Sequence, residues 1–240
     1  MFIWEKICIK RIQNFVERKK RMKEKTVKLI ECFNTYQGEG PDSGQAMVIL
    51  RFKTCNLKCP WCDTSVKMRI SMEAEYELSK IQKEIYNNRL GILITGGEPT
   101  VSRHINETLW LLNELDYPIA NVESNGFNLE EVIERTDPLK NVRYMFSPKI
   151  FSEKDLGSAK AKTRSLIEYS NLYIKVVYEN NDLISNYLEW LSPQAANKVW
   201  LMPEGVNRSD LIRNSESVFD ACEKYKFNFS SRNHLIFGFV

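Results

Sequence analysis

The sequence predicts an α/β fold, an incomplete βα barrel of about six units, and three observations carry that expectation. From residue 29 onward, short β-branched runs alternate with helical patterns, as in repeated strand–helix units around a parallel sheet. The runs fall at 47–53, 91–95, 118–123, 142–146, 172–177 and 198–202, which is six where a closed barrel has eight. Polar or glycine-rich signatures stand just past the carboxyl end of nearly every run, the end of a βα barrel that faces its active site.

With 240 residues, 28.1 kDa and 43% hydrophobic residues, the chain can build one sizeable core, and no linker or repeat divides it. No apolar stretch is long enough to cross a bilayer, so a soluble protein is expected and no membrane partner. Six cysteines without a secretory leader fit a reducing compartment, hence a cytoplasmic protein. The net charge of +3 is unevenly placed: residues 1–28 hold ten Lys/Arg against three Glu, leaving 24 against 28 in the remainder. This divides the chain into a basic N-terminal extension, 1–28, and a mildly acidic βα domain, 29–240. In the extension, Trp4, Ile7, Ile12, Phe15 and Val16 form a near-helical stripe beside Arg18, Lys19, Lys20 and Arg21. A solvated terminal helix, or sequence ahead of a start at Met22, is expected there; contact with membrane, nucleic acid or an acidic partner is the alternative.

The first run, 47–53, ends in Arg51-Phe52 and leads into Cys55-Asn56-Leu57-Lys58-Cys59-Pro60-Trp61-Cys62-Asp63-Thr64. Three soft thiolates on one short loop leave a metal centre one ligand short, and an incomplete coordination sphere is a reactive one. The competing reading is a structural zinc loop completed from afar by Cys32 or Cys222. Leu78, Ile81 and Ile85 then mark a helix face ahead of the second run, 91–95. Thr95-Gly96-Gly97-Glu98-Pro99 follows it, where paired glycines let backbone groups approach a bound ligand with no Cβ in the way.

Leu109, Leu112 and Leu115 mark the next helix, and the third run, 118–123, passes into Glu123-Ser124-Asn125-Gly126. Ser147-Pro148-Lys149 follows the fourth run, Lys175 sits inside the fifth, and Met202-Pro203-Glu204-Gly205 closes the sixth. Leu211, Val218 and Cys222 give the last helix its apolar face. The carboxyl-end segments should therefore converge on one cavity.

The CxxxCxxC loop resembles that of the radical S-adenosylmethionine (SAM) enzymes, in which three cysteines hold a 4Fe-4S cluster and the cofactor chelates the fourth iron. The ordered set Thr35-Tyr36-Gln37-Gly38-Glu39-Gly40, Arg51-Phe52, the cysteine loop, Thr95 to Pro99, Glu123 to Gly126, Ser147-Pro148-Lys149 and a C-terminal strand with His234 is similar to the 7-carboxy-7-deazaguanine synthase (QueE) family over residues 29–240. That resemblance implies a partial barrel of radical SAM type and a ring contraction of 6-carboxy-5,6,7,8-tetrahydropterin to 7-carboxy-7-deazaguanine with release of ammonia. A 5′-deoxyadenosyl radical would remove a substrate hydrogen and later take one back.

The resemblance also implies residue roles. Cys55, Cys59 and Cys62 would hold the cluster, and Thr64 would bind Mg²⁺ through its hydroxyl, which suits an ion that keeps waters and takes oxygen donors. Trp61, Cys62, Asp63, Gly97, Glu98, Ser147, Pro148, Lys149 and Met202, Pro203, Glu204 and Gly205 would contact S-adenosyl-L-methionine. Tyr36, Gln37, Gly38, Arg51, Thr95 and the last residue, Val240, would contact the pterin substrate. For Arg51 the physical case is bidentate capture of a carboxylate; the alternative is a strand arginine paired with an acid. His234 is expected to be a packed or hydrogen-bonded histidine and His104 a structural one, while Glu123 and Asn125 bind ligand or form a buried turn network. A small redox protein such as flavodoxin as electron donor and a homodimer are implied too, with no nucleic-acid partner. Thr54, Ser124 and the Met202 to Gly205 segment depart from the family pattern. Two other functions remain in view: a glycyl-radical-enzyme activase, and a zinc-stabilised nucleic-acid-binding module.

Overall fold

The computed structural model describes residue 17 and residues 22–62, 64 and 70–239. Among them, the six expected runs form strands β3 (Ala46–Phe52), β5 (Gly91–Gly96), β6 (Ala120–Ser124), β7 (Val142–Phe146), β8 (Leu172–Tyr178) and β9 (Val199–Pro203). All six are parallel and pair in chain order. Two further strands extend the sheet: β2 (Glu31–Tyr36), antiparallel to β3, and the short β10 (Asn228–Phe229), parallel to β9. The order β10-β9-β8-β7-β6-β5-β3-β2 leaves two unpaired edges, so the barrel is open. A separate two-stranded ribbon joins β1 (Thr26–Leu29) to β4 (Ala74–Glu77), which follows the cysteine loop.

Helices α1 (Leu78–Asn88), α2 (Ile105–Glu114), α3 (Leu129–Arg135), α4 (Glu153–Leu166), α5 (Asp182–Ala195) and α6 (Arg208–Tyr225) cover one face of the sheet. Their apolar stripes, Leu78, Ile81 and Ile85 among them, join the outward strand residues Val48, Leu50, Ile94, Val122, Tyr144, Ile174 and Leu201 in one buried core. Helix starts are fixed locally: Ser152 accepts the Asp155 N–H ahead of α4, and Asn207 accepts that of Asp210 ahead of α6. Gly157 lies inside α4 with open space where a Cβ would stand. Gly157→Ala is expected to raise stability by about 0.5–1 kcal/mol, by removing backbone freedom from the unfolded chain, and chemical denaturation checks it.

The C-terminal segment corrects the sequence reading. Residues around His234 form a short helix, α7 (Asn233–Phe237), where a strand was expected. The Arg232 carbonyl accepts the N–H groups of Leu235 and Ile236, and Gly238 closes the turn in the left-handed conformation, leaving no extended edge to pair. Most of the basic extension, with Trp4 to Val16, lies outside the described residues, as do Asp63 and Val240. The described fold begins tightly: Met22 is buried in the core and Lys25 pairs with Glu114 at 2.7 Å. Among the described residues no helix is long and apolar enough to cross a membrane.

Candidate active site

Side chains alternate between the two faces of a strand, so the residues that do not face the helices share the other side. On β3 these are Met47, Ile49 and Arg51; on β5, Leu93 and Thr95, with Arg51 and Thr95 side by side in register. Glu123 occupies the same face of β6, and Lys175 that of β8, opposite Trp200 of β9. This face and the loops beyond it enclose a cavity of about 630 Å³, large enough for a cofactor and a small substrate.

The cysteine loop forms one part of its wall. Cys55, Cys59 and Cys62 all line the cavity and are half-buried. Burial pushes the Cys55 and Cys59 thiols above their ordinary pKa, so metal binding must displace their protons. Neighbouring segments hold the loop: Gly97 N–H donates to Phe52 O at 2.9 Å, Glu98 N–H to Thr54 O at 2.8 Å, and Asn125 Nδ2 to Asn56 Oδ1 at 2.8 Å. A Cβ on Gly97 would stand 2.4 Å from the Thr54 carbonyl oxygen. Gly96, with φ of +143°, presses equally on Phe52. The glycine pair is therefore required by the packing of one backbone on another, which the sequence reading had attributed to ligand approach.

Glu98 is buried, and its carboxylate is engaged in its own turn: Oε1 accepts from Thr100 Oγ1 at 2.6 Å and Oε2 from the Asn125 N–H at 2.6 Å. Burial raises its pKa, although those hydrogen bonds oppose the shift. Its side chain thus binds the turn after β5 to the turn after β6. Trp61 packs at a tilt against Phe151, ring centres 5.7 Å apart, with Lys149 Nζ 5.0 Å from the tryptophan ring centre. Lys149 donates to Ser147 Oγ at 2.7 Å, and burial lowers its pKa. The family-derived cofactor positions Trp61, Cys62, Gly97, Glu98, Ser147, Lys149, Met202, Glu204 and Gly205 all line the cavity, whereas Pro148 and Pro203 do not.

Among the substrate positions, Tyr36, Gln37, Gly38, Arg51 and Thr95 reach the cavity. Arg51 Nε is held by Glu31 Oε2 at 2.5 Å, across the β2–β3 pair, so both readings of this arginine describe part of its environment. The Gln37 side chain is occupied beneath the sheet, donating to Asn121 Oδ1 at 2.9 Å and accepting the Glu39 N–H at 3.2 Å. Gly38 leaves room for His234, whose Nδ1 would lie 2.2 Å from a Cβ there. His104 stacks on Phe52 at 4.5 Å between ring centres, outside the cavity lining.

The sequence reading named Glu123 as a ligand-binding or buried-network residue but did not assign the partners that surround it. Lys175 Nζ donates to both Glu39 Oε2 and Glu123 Oε2, and Glu39 Oε1 also receives Arg232 Nε at 3.1 Å. All four line the cavity. The available signal was a lysine in the middle of the apolar strand Leu172–Tyr178; what it lacked was the identity of its partners, Glu39 and Glu123, which come from two distant segments.

The wall suits an iron–sulfur cluster and an aromatic, charged cofactor. Among the described residues no three His, Cys, Asp or Glu side chains converge on a single ion. The three thiols line the same cavity and lie near enough to act on one another electrostatically, as ligands of one cluster would. Trp61 Nε1 is buried with no hydrogen-bond partner among the described residues, a donor open to a ligand. Neither Cys32 on β2 nor Cys222 on α6 lines the cavity, so a distant fourth ligand for zinc is not supplied by either.

Comparison with known proteins agrees with this geometry. The family model described as the Radical SAM superfamily matches residues 49–187. A 7-carboxy-7-deazaguanine synthase from Hyperthermus butylicus is 28% identical over 223 residues, covering 88% of this chain and 92% of that protein. The synthase of Haemophilus influenzae is 31% identical over 158 residues, 66% of each chain, and that of Clostridium acetobutylicum 40% identical over 106 residues, 41% of this chain and 46% of its own. The crystal structure of QueE from Escherichia coli superposes with a TM-score of 0.59 over 90% of this chain and 98% of that one; at 20% identity it supports the fold alone. With three thiols on the loop after its first parallel strand, this chain belongs to the radical SAM superfamily and, within it, to the 7-carboxy-7-deazaguanine synthase family.

Proposed function

We propose that this protein converts 6-carboxy-5,6,7,8-tetrahydropterin to 7-carboxy-7-deazaguanine with release of ammonia, as a radical SAM lyase. The observation that carries this reading is a single cavity of about 630 Å³ lined both by three thiols and by a buried set of carboxylates and cations, in a chain aligned along nearly its whole length with such a synthase. When bound, the reduced 4Fe-4S cluster with S-adenosyl-L-methionine supplies the radical that takes hydrogen from the substrate.

The chain's own residues bind, orient and exclude water. Cys55, Cys59 and Cys62 anchor the cluster, while Trp61, Gly97, Ser147, Lys149, Met202 and Gly205 receive the cofactor. Arg51, fixed by Glu31, presents its guanidinium to the substrate carboxylate, a pairing that is strong in a desolvated wall. Thr95, beside it in register, and Gly38 complete that side. Thr64, buried in the cavity wall, is the Mg²⁺ ligand. Thr64→Ala is expected to raise the half-maximal Mg²⁺ concentration by about tenfold, equivalent to about 1.4 kcal/mol, while the cluster absorbance persists. A Mg²⁺ titration identical to wild type would remove Thr64 from this role.

The enzyme requires an external reductant, for which a small redox protein such as flavodoxin fits the implied chemistry. A cytoplasmic homodimer is the expected form, and the catalytic unit takes in residues 29–240 together with the packed stretch 22–28 that precedes them. Anaerobic reconstitution with iron and sulfide tests the function: with the pterin, S-adenosyl-L-methionine, Mg²⁺ and a chemical reductant, mass spectrometry should detect 7-carboxy-7-deazaguanine. A reconstituted cluster that yields 5′-deoxyadenosine but no deazapurine would overturn the substrate assignment.

A further inference from the structure

Lys175 is buried to 4% exposure in the middle of β8, between the core residues Ile174 and Val176. Taking an ammonium out of water costs several kcal/mol unless charged partners compensate. Here the partners are two carboxylates from different segments: Glu39 Oε2, in the turn after β2, and Glu123 Oε2, near the end of β6, each 2.5 Å from Nζ. The second Glu39 oxygen faces Arg232 Nε at 3.1 Å and His234 Nε2 at 3.9 Å, while Lys149, after β7, acts on Glu123 from a further element. With Glu39, Glu123, Lys175 and Arg232 all charged, the set is neutral. Without Lys175, two adjacent carboxylates would share a poorly hydrated wall with the Arg232 guanidinium on Glu39 and only the more distant Lys149 acting on Glu123.

We propose that Lys175 is a positioning residue that keeps Glu39 and Glu123 ionised together and turned on the cavity as one acceptor pair for the N–H edge of the substrate ring. The inference rests on the ring-contraction reading, since it takes the pterin as the ligand. Burial by itself would lower the lysine's pKa, yet Glu123 and Glu39 outweigh it and hold the ammonium charged. Burial likewise works against the Glu39 carboxylate, but Lys175, Arg232 and His234 hold its pKa well below the usual range. Glu123 shifts the other way: burial raises it, Lys175 opposes that, and Glu39 adds to it. Glu123 is therefore where a proton lands once Lys175 is gone, because like charges in such a wall cannot both remain ionised. A protonated Glu123 is a poorer acceptor for ring N–H groups.

The sign of the pH effect follows. Removing the lysine raises the carboxylate pKa further, so substrate affinity in the variant is lost as pH falls and recovers as pH rises, and more steeply than in wild type. The test is equilibrium binding of 6-carboxytetrahydropterin to the reconstituted enzyme with S-adenosyl-L-methionine and Mg²⁺ but no reductant, so that no turnover intervenes. For Lys175→Met we expect a Kd raised about tenfold or more at about pH 6, narrowing toward about pH 9, with KM following Kd more than kcat falls. Lys175→Arg, which keeps the charge, should remain within about threefold of wild type at every pH. Should Lys175→Met fail to fold, Lys175→Gln, which keeps hydrogen bonding without charge, must show the same pH-dependent loss. A Kd unchanged in the neutral variants, or weakened equally at every pH and in Lys175→Arg as well, would overturn the proposal. Wild-type enzyme that forms no deazapurine sinks the ring-contraction reading instead, whereas productive wild type with neutral variants no steeper in pH than wild type sinks this inference alone.

Discussion

Cys59→Ala is expected to abolish both deazapurine formation and the visible absorbance of the reconstituted cluster. On the proposed reading three thiolates hold that cluster, so removing one would leave two anchors for four irons, and the bound state would lose its geometry as well as its affinity. The fold should barely respond. Cys59 is half-buried on a loop that is held at other points, by Gly97 and Glu98 at its start and by Asn125 at Asn56. Its truncation in the cluster-free protein should cost no more than about 1 kcal/mol, a melting shift of about 2–4 °C for a chain of this size. Iron analysis, absorbance and a melting curve on one preparation separate the two effects. Turnover within tenfold of wild type would end the radical reading.

Gly97→Ala should be nearly as damaging through a different route. Its methyl group would stand 2.4 Å from Thr54 O, 2.5 Å from Thr54 C and 2.8 Å from Cys55 N, all backbone atoms with no rotamer to yield. The cysteine loop must then move by about 1 Å, a displacement that costs on the order of a hundredfold in rate when it misplaces reacting groups. Overpacking of this kind also costs about 1–3 kcal/mol of stability. Gly44→Ala is the control: its φ of +90° strains any other residue, but nothing lies within 4 Å of the added Cβ. It should lose stability without losing turnover. Rates for Gly97→Ala close to those of Gly44→Ala would refute the packing argument.

How much of the site was legible beforehand varied with the kind of signal. The cysteine loop is local: three ligands within eight residues declare their chemistry whatever surrounds them. The six parallel strands were legible because each is a short apolar run with a turn signature beyond it. The antiparallel β2 escaped because Glu31–Tyr36 is polar and half-exposed, and its pairing with β3 is decided by the partner strand. The tail was expected as a strand from the resemblance alone, while locally the Arg232 carbonyl and Gly238 stabilise a helical turn. Glycines 96 and 97 were found for a partly different reason from the one that requires them, since what lies against a glycine is a tertiary fact.

By itself the sequence determined the metal-binding loop and the βα architecture, because metal-ligand spacing and strand periodicity are properties of neighbouring residues along the chain, while the reaction class and the cofactor and substrate positions came from its resemblance to a known family. Only the tertiary structure decided which charges meet. Glu39, Glu123, Lys175 and Arg232 come from four segments as far as 193 residues apart, and their ionisation depends on burial and on one another. Electrostatic energy in a buried site is set by distances in space, and no spacing along the chain encodes them.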